Sequence, residues 1–283
     1  MILFQTITLL VPAMKKSGST SYLMLSEWID QQQSRGLYYF TRENALRTLK
    51  INESAFKQAA IRLARKNRVA RLLGGFFIII PLEYAATGVL PSEWFIADLM
   101  AYIEQPYYVG LLSAAALHGA AHQQPQQFQV VTTAPLREIK RKKLSIHFFS
   151  KKNFSSTPLV KKKVQTGFIN LSSPEATAFD LVRYARTIGG MERVLTVVQE
   201  LSEVIDPAKL VEAAKTDGNL TYAQRLGWLF EKAGSPDMVK KLAQWVAQKH
   251  PFVARLEPAL PAKGAPRDTR WSLLINASVE GDV

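Results

Sequence analysis

Residues 41–80 read TRENALRTLKINESAFKQAAIRLARKNRVARLLGGFFIII, and the order of structural signals in this stretch sets the fold of the N-terminal part. Thr41 stands where an N-cap is wanted, ahead of a helix over residues 42–49 whose Leu46 and Leu49 point inward. Ile51-Asn52 makes a turn, and Asn52 or Ser54 caps a following helix that runs to about Asn67. Phe56, Ala59, Ala60 and Leu63 recur at spacings of three and four and form its buried stripe. The small side chains of Ala55, Ala59 and Ala60 let a neighbouring helix approach closely. Residues 69–73 and 76–80 are apolar, β-rich runs on either side of Gly74-Gly75, a hairpin signal. Upstream, Leu25, Trp28, Ile29 and Gln32 share helical spacing in residues 21–34, Gly36 stops that helix, and residues 38–40 make a short aromatic strand. Helix, strand, helix, turn, helix, hairpin is the order of a winged helix-turn-helix, expected over residues 21–81.

The chain has 283 residues, enough for two domains with separate cores. It has no cysteine, which excludes disulfide frameworks, Cys-based zinc sites and thiol catalysis. Its net charge of +13 is concentrated. Residues 35–75 hold ten Lys/Arg against two Glu, and residues 130–165 hold ten against one Glu, so the remainder of the chain is mildly acidic. Positive charge in two blocks points to a polyanion, and in a cytoplasmic chain that means nucleic acid. A solvated basic surface is the plainer alternative. Residues 1–13 are nearly all apolar, but Lys15 and Lys16 follow the run instead of preceding it, and the run is too short to span a bilayer. Residues 1–20 therefore read as an N-terminal extension, with Met14 as the natural start. No other segment reads as transmembrane, so a cytoplasmic location and no membrane partner are expected.

A winged helix gives its basic residues definite roles. The helix after Asn52 would enter the major groove with its N-terminal half at the base edges. Ser54 lies at that end; Gln58 can pair with adenine and Arg62 with guanine N7 and O6. Lys57, Arg65 and Lys66 suit phosphates, which position a protein without reading sequence. Arg68 and Arg71 lie on the wing arm, and Arg42 at a helix start is a further phosphate ligand. The competing reading is a small basic helical module that binds protein.

Residues 82–91, punctuated by Pro81, Gly88 and Pro91, read as a linker. Ser92 then caps a helix with Phe95, Ile96, Leu99, Met100 and Ile103 inward, broken at Pro106. Residues 107–121 read as a second helix, rich in small residues. Strand-like runs follow at 127–133, 144–149 and 167–171. Ser173 with Pro174 opens a helix to Arg186, and further helices are expected near 191–204, 207–215, 222–233 and 238–249. A Pro-rich tail covers 251–283, with a strand near 271–275. The fold class is therefore α+β: the winged helix, then a larger α/β domain over 92–250 with a small sheet and several C-terminal helices.

Two elements of this domain carry a resemblance. Residues 107–119, YYVGLLSAAALHG, and residues 172–181, SSPEATAFDL, resemble in order the tyrosine-rich helix and the Ser-Pro-Glu-Ala-Thr…Asp-Leu element of AbiEi-type antitoxins. A winged helix ahead of them fits the same family, and the resemblance covers about residues 20–235. It implies the antitoxin half of a type IV toxin–antitoxin, or abortive-infection, module in phage defence. It implies a repressor that binds inverted repeats of double-stranded DNA in its own promoter, as a monomer in solution or a dimer on DNA. It also implies a nucleotidyltransferase-like toxin as functional partner, countered without a stable complex. Arg137, Lys140, Arg141, Lys142 and Lys143, followed by Lys161, Lys162 and Lys163, form a second basic patch that would continue the DNA track or meet RNA or the toxin. A solvated loop is the alternative there.

No catalytic constellation is found, so no enzyme activity, metal or cofactor is expected. His118 and His122 are four apart, but Gly119 replaces the zincin Glu and no third ligand is near. Ser113 lacks a nucleophile elbow's glycines. Glu175 and Asp180 do not share a helix face well, and Glu175 suits the positive end of its helix. The rival functions are a ligand-responsive winged-helix regulator with a small-molecule domain, and a nucleic-acid-processing enzyme of a phage-defence operon.

Overall fold

Two polar caps organise the N-terminal elements of the structure, a computed structural model that describes residues 17–120 and 125–280. The expectations for residues 1–13 and a start at Met14 lie outside the described residues. Helix α1 (Ser17–Ser34) begins ahead of the expected start at Ser21 and is followed by strand β1 (Tyr39–Thr41) and helix α2 (Arg42–Leu49). The Asn44 amide donates to Thr41 Oγ1 at 3.1 Å, so Thr41 caps α2. Lys50 turns the chain with φ 49°, and Asn52 then caps helix α3 (Glu53–Arg65), accepting from the Ala55 amide at 2.9 Å. Asn52 thus takes the capping role, and Ser54 stays exposed on the first turn. Strands β2 (Val69–Leu73) and β3 (Phe76–Ile79) form an antiparallel hairpin around Gly74, at φ 52°, and the three-stranded sheet has the order β1-β3-β2.

These elements close on a core of Leu25, Ile29, Phe40, Phe56, Leu63, Val69, Phe77 and Ile79. Phe77 is its hub: its ring stacks on Phe40 with centroids 5.1 Å apart and meets Phe56 edge-on at 5.5 Å. Offset and edge-on aromatic pairs stabilise beyond their buried area, so the hairpin is held to the helices by side chains as well as by β1.

The chain divides into two units, Met1–Leu90 and Pro91–Val283. The second opens with helix α4 (Ile96–Tyr102). The single helix expected over 107–121 is replaced by strand β4 (Tyr107–Val109) and a shorter helix α5 (Leu111–Leu117). Tyr-Tyr-Val is aromatic and β-branched, and it fits a pleated surface better than a helix. Gly110 allows the close pass against the neighbouring strand, since a Cβ there would lie 2.8 Å from Val131 Cγ2. Strands β5 (Phe128–Thr132), β6 (Ile139–Arg141), β7 (Leu144–Ser150), β8 (Leu159–Val164) and β9 (Gly167–Ser172) complete a mixed sheet of order β6-β7-β5-β4-β9-β8.

Helix α6 (Pro174–Arg183) follows, with Ser173 Oγ accepting from the Ala176 amide at 3.2 Å and Pro174 in the first turn, where its missing N–H costs nothing. It is buried almost all round. Helices α7 (Ala185–Ile188), α8 (Gly190–Leu201), α9 (Pro207–Asp217), α10 (Leu220–Lys232) and α11 (Lys240–Gln248) surround it in one core that includes Tyr108, Phe179, Val198, Leu226, Phe230 and Val246.

The tail is part of this core. Strands β10 (Ala254–Arg255), β11 (Arg267–Asp268) and β12 (Leu273–Leu274) form a small sheet that brings Trp271, fully buried, against α10. Gln224 Nε2 donates to the carbonyls of Trp271 at 2.9 Å and Phe252 at 3.0 Å, which pins the tail backbone. Gly227 gives the indole its place: a Cβ there would lie 2.1 Å from the Trp271 ring. Both partners are fixed, so Gly227→Ala is expected to displace Trp271 and destabilise the unit by about 3 kcal/mol. A lower urea midpoint and faster tryptic cutting at Arg255, Lys263, Arg267 and Arg270 would show it.

Candidate nucleic-acid interface

Helix α3 buries Phe56, Ala59, Ala60 and Leu63. Helical geometry then turns Ser54, Lys57, Gln58, Ile61, Arg62 and Arg65 outward, and all six are exposed. The strip is polar and cationic from end to end, apart from Ile61. The helix N-terminus adds partial positive charge at Ser54, in the first turn.

The remaining basic residues expected to meet DNA are tethered within their own unit. Arg42 pairs with Glu53 at 3.0 Å, with both side chains more than half exposed, a surface pair of small energy that exchanges partners readily. Lys66 Nζ donates to the Tyr22 hydroxyl at 3.0 Å and sits 5.1 Å from its ring centroid. Arg71 Nε donates to the Gly74 carbonyl at 2.6 Å, within the hairpin turn. Arg68 is the most committed: its side chain is 16% exposed and pairs with Asp30, joining the hairpin arm to α1. These contacts make Arg68 and Lys66 structural struts as well as positive charges.

The second basic patch does not form one face. Lys140 and Arg141 lie on β6, Lys142 and Lys143 make its turn into β7, and Arg137 precedes it. Lys161, Lys162 and Lys163 lie on β8. These are the two opposite edges of the sheet, five strand spacings or about 24 Å apart. Lys140 pairs with Glu138 at 2.8 Å, and Lys162 Nζ donates to the Leu117 carbonyl at 2.9 Å. Lys151, which counts toward the charge of the block, is not at the surface at all.

Lys151 belongs to a buried ionic cluster absent from the sequence reading. Its Nζ donates to Asp180 Oδ1 at 2.8 Å and lies 3.8 Å from Asp217 Oδ1. Arg183 donates to Asp217 Oδ1 at 2.6 Å, and the Tyr108 hydroxyl donates to Asp180 Oδ2 at 2.8 Å. The side chains of Lys151, Asp180 and Asp217 are at most 3% exposed. Two cations and two carboxylates balance, so the cluster joins β4, the end of β7, α6 and α9 at little net charge. Glu175 is also inside: its carboxylate accepts from the Ser173 hydroxyl at 2.8 Å and from the Asp206 amide at 3.0 Å. From the first turn of α6, at its positive end, it ties the start of α6 to the start of α9.

Burial, and then the charge of Asp180, push the Tyr108 hydroxyl far above its ordinary pKa of 10.0, and burial pushes Tyr107 up to about 12. Above pH 10 the unfolded chain ionises at these positions while the folded chain keeps its protons. Their stabilisation is therefore complete below pH 10 and is lost as pH rises beyond it, by about 1.4 kcal/mol per pH unit for each group. Urea unfolding between pH 9 and 11 would show the fall, and Tyr108→Phe should make it shallower.

His118 Nε2 is 2.8 Å from the Ser172 carbonyl, and burial lowers its pKa. His122 lies outside the described residues. Among the described residues no three or more His, Asp or Glu are grouped to hold a metal ion, and no helix is long and apolar enough to cross a membrane.

Residues 108–232 match the family model of the AbiEi antitoxin C-terminal domain. No curated protein matches the chain. Among solved structures, the RV2827C protein from Mycobacterium tuberculosis aligns with a TM-score of 0.63 at 14% identity, covering 89% of this chain and 90% of that one. That likeness is one of fold. An antigenic nucleotidyltransferase-like protein from Paracoccidioides brasiliensis aligns over 41% of this chain and 84% of its own at 9% identity and a TM-score of 0.25, too distant to bear on the fold.

Proposed function

We propose, from the match of residues 108–232 to the AbiEi antitoxin C-terminal domain, that the chain is the antitoxin of a type IV toxin–antitoxin module that represses its own promoter. In this reading residues 21–81 are a winged helix-turn-helix, with α2 and α3 as the helix pair and the β2–β3 hairpin as the wing. The carrying observation is the outward face of α3: five polar or cationic side chains on the one helix face its core leaves exposed. Such a face fits the major groove, where Gln58 and Arg62 would meet base edges while Lys57 and Arg65 neutralise phosphates. Arg42 would join them by exchanging Glu53 for a phosphate.

Two copies would occupy the two arms of an inverted repeat and block the promoter, in the cytoplasm and without catalysis. The second unit would counter a nucleotidyltransferase-like toxin without a stable complex. The test is binding of the purified full chain to its own upstream DNA and to a scrambled duplex of equal length, across a salt series. Preference for the natural duplex is the expected result. Equal, weak and salt-sensitive binding to both would overturn the repressor reading.

A further inference from the structure

The outward face of α3 has one apolar residue at its centre. Ile61 is 44% exposed and stands apart from the core cluster of its unit. It follows Ser54 by seven residues, Lys57 by four and Gln58 by three, and it precedes Arg65 by four, so it lies on the midline of the strip. The buried stripe is complete without it, and an exposed β-branched side chain is a poorer helix former than the Lys, Gln or Arg around it. It also has no donor to offer a phosphate. Among the groups on the floor of a major groove, the one that offers an apolar knob to pack against is the 5-methyl of thymine.

We propose that Ile61 is a specificity-determining residue that packs against a thymine methyl in each half-site, beside the bases met by Gln58 and Arg62. The inference rests on the reading of α3 as the helix that enters the groove. Ile61 lies about 4.5 Å beyond Gln58 along the helix axis. Base pairs are spaced about 3.4 Å apart, so the thymine falls within about two base pairs of the position Gln58 reads.

Deoxyuridine differs from thymidine by that methyl alone, which makes it the probe. Each thymine of the natural promoter duplex is replaced singly by deoxyuridine, and affinity is measured for the full-length chain and for Ile61→Ala. One position per half-site should weaken the unmodified protein about fourfold, the effect of returning one methyl group to water. Ile61→Ala should bind the natural duplex at least that much more weakly and be indifferent to deoxyuridine at that position. It should still prefer the natural duplex to the scrambled one, and its thermal unfolding should match that of the unmodified protein, since the side chain is exposed. A flat scan with the unmodified protein overturns the assignment, and so does a position that responds equally in both proteins. If the unmodified protein shows no preference for the natural duplex, the groove reading itself has failed, and this inference with it.

Discussion

Asp180→Ala should cost the second unit about 3–5 kcal/mol, a large share of the stability of an ordinary domain. Asp180 is fully buried and accepts both from Lys151 Nζ and from the Tyr108 hydroxyl at 2.8 Å. Its removal leaves the Lys151 ammonium in the interior with Asp217 Oδ1 at 3.8 Å, beyond hydrogen-bonding reach. It also leaves the Tyr108 hydroxyl without its acceptor. Lys151→Met should be comparably severe, because it strands the buried Asp180 carboxylate without its cation while Asp217 keeps Arg183. The double variant Lys151→Met/Asp180→Ala should lose clearly less than the sum of the singles, since it removes opposite charges together. Urea unfolding of the four proteins closes that cycle. An Asp180→Ala protein within about 1 kcal/mol of the parent would mean that the cluster contributes little.

The second large effect is on DNA binding, and the residues of α3 should separate into two behaviours. Lys57→Ala/Arg65→Ala should keep the preference for the natural duplex but flatten the dependence of log K on log salt by about 2, since each phosphate contact contributes about 0.9. Arg62→Ala should leave the salt slope nearly intact and lose about 1–3 kcal/mol of discrimination at one guanine. Replacing the three base readers Gln58, Ile61 and Arg62 together by Ala should make natural and scrambled duplexes equivalent. Anisotropy titrations between about 50 and 200 mM salt resolve the two behaviours, because affinities in that range are steep in salt. A triple variant that still prefers the natural duplex would move the reading surface off α3.

The N-terminal unit was largely legible in its residues because local signals and the core agree there. Thr41 and Asn52 cap the helices they precede, and Gly74 turns the hairpin expected of it. Ser173-Pro174 was equally direct. Strand β8 was not legible: all of Leu159 to Lys163 is exposed, so no alternation of apolar and polar residues marks it. Strand β4 was hidden by the helix-forming residues that follow it. Lys151 shows the limit of counting charges, since a lysine inside a protein adds to net charge as one outside does. Its partners come from distant parts of the chain, and the one local hint was Asp180 among Ala178, Phe179, Leu181 and Val182. The pairing of Arg68 with Asp30 was likewise out of reach of spacing rules, because it joins a hairpin arm to the first helix.

The lysines on the two outer strands of the large sheet bear on how copies of the chain tolerate crowding. An outermost strand presents backbone donors and acceptors that another strand could match, which is how sheets of separate molecules fuse into aggregates. Here β8 presents Lys161, Lys162 and Lys163 in succession, and the β6–β7 turn presents Lys142 and Lys143. Two molecules meeting β8 to β8 would crowd six ammonium groups along one seam. Exposed apolar residues such as Leu159, Val160 and Phe168 lie close by, at 42%, 40% and 61% exposure, and would otherwise favour that union. A surface that composition presents as a place for a ligand is thus also a deterrent to self-association, one that acts while salt is low enough for like charges to sense each other.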